Sequence, residues 1–205
     1  MFAEDFHDSH IKKLALCLSK LPLLQSFLID SEKYSDPPDT ELKPLFLALK
    51  NLLLLSKVSI RLGNPQGWSP WMFHDLFSGL AACKSLKKLH LDMRPVYDRD
   101  PSSADPIALG LNLLNVSSLE EISLPLYETY EDRHLAQLSQ TLTKFSSLKA
   151  LKIDFSKRGS LLSDQGLLHF ACSKLSLHYQ LYLLYVFGGA SFLRQSSLSL
   201  QLLLL

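Results

Sequence analysis

Cysteine is scarce in this chain: Cys17, Cys83 and Cys172 are the three among 205 residues. They are too few and too scattered for a disulfide framework or a zinc knuckle. Their apolar neighbours predict three buried free thiols that pack as small hydrophobes. A Gly-rich phosphate loop and a nucleophile elbow are both missing. His7 and His10 have the helical spacing of two metal ligands, but the Glu of the zinc-protease motif and a third ligand are lacking, so a surface pair is expected. Catalysis, a cofactor and a small-molecule substrate therefore have no anchor in the sequence. A strong excess of one charge is also absent. The net charge is +1 with both signs interspersed, which excludes the basic stripe that a nucleic-acid surface needs. Long apolar runs are wanting too. The charge-free stretch 179–193 contains Gln180 and two glycines and falls short of the about 20 residues of a membrane span. The acidic N-terminus does not have the basic-then-apolar order of a signal peptide. Together these absences predict a cytoplasmic protein, with the nucleus left open. In that setting the sequon Asn115-Val116-Ser117 carries little meaning.

What the chain has in abundance is leucine, about a quarter of all residues. Much of it falls in an L-x-x-L-x-L pattern, clearest at Leu86, Leu89 and Leu91. Further copies begin at Leu24, Leu55, Leu119 and Leu148, so that successive first leucines are 31, 31, 33 and 29 residues apart. A fixed period of this length marks an array of supersecondary units. The last two apolar positions flank a polar residue in the copies from Leu55 onward, as in a strand with one buried face; the first copy has Leu28 there. Between copies the apolar spacing changes to the helical 3.6, as in Leu42-Leu45-Phe46-Leu49-Leu52, Phe73-Phe77-Leu80-Ala81 and Leu135-Leu138-Leu142-Phe145. Ser69-Pro70 and Asp105-Pro106 each set a capping side chain before a proline at the first helical position. Every unit is thus strand, loop, helix and return. No unit can bury its apolar face alone, so neighbours must stack.

Over about residues 6–170 this pattern resembles the leucine-rich repeat family, in its long, helix-containing, ribonuclease-inhibitor-like class. Leu162-Ser163-Asp164-Gln165-Gly166 is similar to that class's helix entry. No Asn or Cys ladder follows the strands, and only one unit carries the Asp-x-Gly entry. The resemblance implies an α/β solenoid, a horseshoe of about 5–6 repeats with parallel strands on the concave face and helices on the convex face. The repeat domain is expected to span 1–187, beginning with a helix over 5–22 that buries Ile11, Leu14, Ala15 and Leu18. Solenoids need capped ends, and no separate polar cap precedes that helix, which suggests a fragment or a cap improvised from the helix. A sixth strand has two rival registers, one starting its motif at Leu181 and the other at Leu175. Residues 188–205 form an irregular apolar tail, read as a short membrane segment, an apolar cap or a gene end out of frame.

On such strands the residues beside the buried pair face the concave surface. The expected partner-binding residues there are Arg61, Lys88, His90, Asp92, Lys152 and Asp154, with Arg61 between Asp30 and Asp92. The competing reading is a set of exposed cross-strand ion pairs of about 0–1 kcal/mol each. Five loops follow the strands at one phase and should form a rim, where Trp68, Tyr97 and Tyr127 are the expected contacts, with Tyr34 and Tyr130 beside them. Trp68, Trp71 and Phe73 cluster at one helix start, where packing is the alternative to an interface. The resemblance implies a non-enzymatic scaffold that binds a protein or peptide across the concave sheet and rim. A substrate-recognition subunit of a ubiquitin ligase is the alternative, and a GTPase-activating protein of the leucine-rich repeat type ranks below it.

Overall fold

The computed structural model describes residues 8–30, 39–62, 68–93, 105–114, 118–125, 130–154, 162–172 and 180–184. Six strands, β1 (Ser26–Asp30), β2 (Lys57–Leu62), β3 (Lys88–Met93), β4 (Glu121–Pro125), β5 (Ala150–Asp154) and β6 (Gln180–Leu184), form one sheet in chain order. All of its pairings are parallel. Helix α1 (Asp8–Leu18) precedes β1. Helices α2 (Asp39–Ala48), α3 (Pro70–Leu80), α4 (Pro106–Leu111), α5 (Asp132–Leu142) and α6 (Asp164–Cys172) fill the successive crossovers. Each helix packs on the next in sequence. The protein is an α/β chain whose parallel sheet grows by one strand per helix.

Register explains why the core is continuous. Phe27, Val58, Leu89, Ile122, Leu151 and Leu181 are Cα partners in one row across all six strands. In the strands whose side chains are described, the members of this row are buried, as are Ile29, Ile60, Leu91, Leu124 and Ile153 two places on. The alternate residues are exposed or half-buried. Each of β1 to β5 is thereby anchored by two inward apolar side chains, worth about 1.5–3 kcal/mol apiece when fully buried. The first leucines of the motif from Leu55 onward also join the core, and Leu24 packs partly against it.

A second regularity ties the units at the strand starts. The carbonyl of Gln25 accepts from the N–H groups of Ser56 and Lys57, at 2.9 and 3.1 Å. The carbonyls of Ser56, Lys87 and Glu120 accept in the same way from the next unit's Lys87 and Lys88, Glu120 and Glu121, and Lys149 and Ala150. One oxygen per unit thus satisfies two donors, which fixes the return turns side by side.

The proline-led helix starts form as the sequence predicts. Ser69 accepts from Met72 N, and Asp105 accepts from Ile107 N, each with Pro at the first helical turn. The close approach of α3 to α2 depends on Gly79, where a Cβ would lie 2.1 Å from Phe46 O.

The structure corrects four expectations. The first helix ends at Leu18 rather than at residue 22, and residues 19–25 turn into β1; residues 5–7 lie outside the described residues. The sixth strand follows neither proposed register: Leu151 pairs with Leu181 and Ile153 with Leu183, so counting back puts His178 at the motif's first position. Both sequence registers start from a leucine that does not hold the motif's first place. Cys17 is exposed while Cys83 is buried, because α1 packs through Ile11, Ala15 and Leu18 and Cys17 falls off that stripe. Trp68 and Tyr130 are buried rather than displayed on the rim. The side chain of Cys172, the rim tyrosines Tyr34, Tyr97 and Tyr127, and the tail 188–205 lie outside the description.

Candidate protein-interaction face

Parallel sheets are usually covered on both faces and read as unbroken apolar runs. Among the described residues only one face is covered, and the strands alternate instead. The open face carries three polar rows at alternate strand positions. The first row holds Ser26, Lys57, Lys88 and Glu121 in register. The middle row holds Leu28, Ser59, His90 and Ser123 in register and continues to Lys152, paired with Ser123. The third holds Asp30, Arg61 and Asp92 in register, while Asp154 pairs with Pro125 one strand further on.

Parallel register brings like positions side by side, so ion pairs form within rows. Arg61 lies between the two aspartates, its Nη1 3.2 Å from Asp30 Oδ2 and its Nε 3.3 Å from Asp92 Oδ2. Lys88 Nζ sits 2.8 Å from Glu121, which raises the lysine's pKa through hydrogen bonding and charge. At the strand starts Glu120 takes Lys149 at 2.7 Å and Lys87 at 3.4 Å. Its pKa is lowered, chiefly by the hydrogen bond from Lys149. Most of these pairs are exposed or half-exposed, where each contributes about 0–1 kcal/mol; the Arg61–Asp92 pair is more enclosed, with Asp92 only 13% exposed.

His90 stands at the centre of the face, half-buried. Burial pushes its pKa below the ordinary histidine value; Asp92 opposes that shift, Arg61 and Lys152 reinforce it, and Glu121 opposes it. The imidazole is therefore neutral at pH 7 and can donate or accept a hydrogen bond. Among the described residues no group of three or more His, Cys, Asp or Glu side chains could hold a metal ion. Cys83 is also chemically quiet: burial raises its thiol pKa to about 11, with Leu49 O 3.4 Å from its sulfur.

The two tryptophans divide. Trp68 is wholly buried and its indole N–H donates to Leu62 O at 3.3 Å, so it closes the end of β2 instead of meeting a partner. Trp71, three residues on, is 79% exposed. It shares the outer side of α3 with His74 and Asp75, whereas Met72, Phe73, Leu76, Phe77 and Leu80 face inward. The signal was in the sequence. Extending the 3.6 period back from Phe73 and Phe77 leaves Trp71 in phase with two polar residues.

A cleft of about 340 Å³ lies between α5 and α6, lined by Asp132, Arg133, Ser163, Gly166 and His169 among others. Its carboxylate is engaged. Asp132 accepts from Ser163 N at 2.9 Å and from the Ser163 hydroxyl, while Ser163 Oγ accepts from Gly166 N at 2.9 Å. A Cβ at Gly166 would lie 2.1 Å from Asp132 Oδ1. The Asp-x-Gly entry of α6 therefore makes room for the preceding unit's carboxylate.

No family model and no curated protein matches this sequence. Among the described residues no helix is long and apolar enough to cross a membrane.

Proposed function

We propose that the chain is a leucine-rich repeat solenoid of the long, helix-containing class, and that it serves as a non-enzymatic scaffold. The ligand is a protein or peptide lying across the open sheet face and the adjoining loop rim. The observation that carries this reading is a parallel sheet that the described residues cover on one side only, with mostly polar rows where a structural sheet would have a second apolar layer. The face holds a neutral imidazole and mixed charges along an extended strand array, which suits a polypeptide.

Size supports a shared surface. Six strands at about 4.8 Å spacing and about five residues each give roughly 24 by 17 Å, or about 400 Å². A standard interface needs about 800 Å² per partner, so the rim supplies the remainder. Trp71, exposed at the start of α3, is an aromatic of the kind that anchors interfaces.

The test is Asp92→Lys combined with Asp154→Lys, compared with wild type by quantitative capture of partners from a lysate. Weaker recovery of the specific partners is expected. An unchanged partner list would remove the open face from consideration.

A further inference from the structure

We propose that the edge formed by the first three return turns, where helices hand over to strands, attaches the protein to an anionic lipid surface. The site lies at the strand starts and meets the open face only through Lys57 and Lys88, which lie in that face's first row; it does not depend on any partner there. The three turns precede β1, β2 and β3, and their parallel register sets them side by side. They carry six exposed lysines: Lys20, Lys50, Lys57, Lys84, Lys87 and Lys88. Segments 19–26, 49–57 and 81–88 contain no Asp or Glu at all, in a chain whose net charge is only +1. Lys87 and Lys88 are paired with Glu120 and Glu121 of the following unit. Lysine at a helix C-terminus answers the helix dipole, but Lys57 and Lys88 lie on strands, beyond that influence.

Exposed leucines stand among these lysines. Leu23 is 74% exposed, Leu53 61%, Leu21 49% and Leu54 43%. The protein's own later units show what this turn requires. At the place before the motif's first leucine, units three to five have Ser85, Ser118 and Ser147, while the first two have Leu23 and Leu54. A serine suffices for the turn, so the two leucines do not follow from folding.

Chemistry chooses the occupant. Protein interfaces are enriched in arginine and aromatics and depleted in lysine, and leucine is under-represented among their hot spots. Here the cations are all lysine and the apolar groups all leucine. That combination fits a bilayer surface, where lysines meet anionic headgroups and short apolar side chains enter the boundary. Each lysine near such a surface strengthens binding about fivefold. The attraction is screened by salt over about 10 Å at 0.1 M.

The experiment is co-sedimentation of the full chain with vesicles of phosphatidylcholine alone and of phosphatidylcholine with phosphatidylserine. Binding to the anionic vesicles only is expected, weakening as salt rises. Leu23→Ser with Leu54→Ser, which installs the residue of the later units, should weaken it about tenfold; Lys20→Gln with Lys50→Gln and Lys57→Gln should do at least as much. Circular dichroism confirms that both variants fold. Equal sedimentation of wild type and both variants would overturn the proposal. So would the absence of vesicle binding, or binding to soluble polyglutamate that the leucine substitutions leave unchanged, which would assign the edge to an acidic macromolecule.

Discussion

Ser69-Pro70 and Asp105-Pro106 are the same device in sequence and different devices in the fold. Both residues sit in extended backbone before a proline, and both accept a hydrogen bond from the first turn of the helix. Ser69 is half-buried and its hydroxyl accepts from Met72 N at 3.4 Å. Asp105 is wholly buried. One carboxylate oxygen takes Ile107 N at 2.9 Å and the other the Tyr130 hydroxyl, while its own N–H donates to Gln137 Oε1 at 2.7 Å. The second entry therefore locks two units together. The lesson is that a cap's energetic weight is set by the neighbouring unit, which a local motif does not show.

Four perturbations would break or sharpen that contrast. The largest effect is expected at Asp105→Ala, which removes a cap and leaves a buried hydroxyl with the longer bond to His134 O at 3.5 Å, for about 2–4 kcal/mol of lost stability. Urea denaturation would measure it; a loss no greater than at Ser69 would mean the extra contacts carry no weight. Tyr130→Phe leaves the cap but takes away the donor, and about 1–2 kcal/mol should be lost. A double-mutant cycle with Asp105→Ala should then show strong coupling between the two sites. Ser69→Ala should cost no more than about 1 kcal/mol, in line with an ordinary cap.

The smallest effect concerns acid. His134, buried beside Tyr130 with ring centroids 5.5 Å apart, accepts from Glu131 N at 3.1 Å. Its pKa is lowered by burial and by Arg133, against an opposing pull from Glu131. Below the ordinary histidine value of about 6.5 the unfolded chain binds the proton first. Stability should consequently fall as pH drops through that value and level off below the folded pKa. His134→Gln keeps an acceptor of the kind usual at this helix position and should give a flatter profile between pH 7.5 and 5.5. An identical slope in the variant would assign the acid sensitivity elsewhere, His90 being the next group to examine.

How far the sequence could be read differs between these regions. The five motif copies located β1 to β5, and Arg61 was placed between Asp30 and Asp92 because strands with one spacing stack like positions together. Both helix caps were visible for the same local reason. Helical phase marks Trp71 as outward-facing, whereas Trp68 lies before the helix, where phase says nothing. The bond from Tyr130 to Asp105 was not readable. It joins residues 25 apart across loops of different length, and nothing in either segment marks its partner. Tyr130 looked like a rim residue because its loop is polar, yet the ring belongs to the core.

What the sequence by itself determined is the period: two within strands, about 3.6 within helices and about 31 between units. The first two periods decide which side chains face inward, since backbone geometry alone sets them. The third decides which residues of different units become neighbours. Tertiary structure decided the rest: the sixth strand's register, the burial of Trp68, the second role of Asp105 and the gathering of lysines and leucines along one edge. Those outcomes depend on contacts between units stacked about 4.8 Å apart. At that distance a side chain's environment is supplied mostly by residues about thirty positions away, beyond the reach of any local pattern.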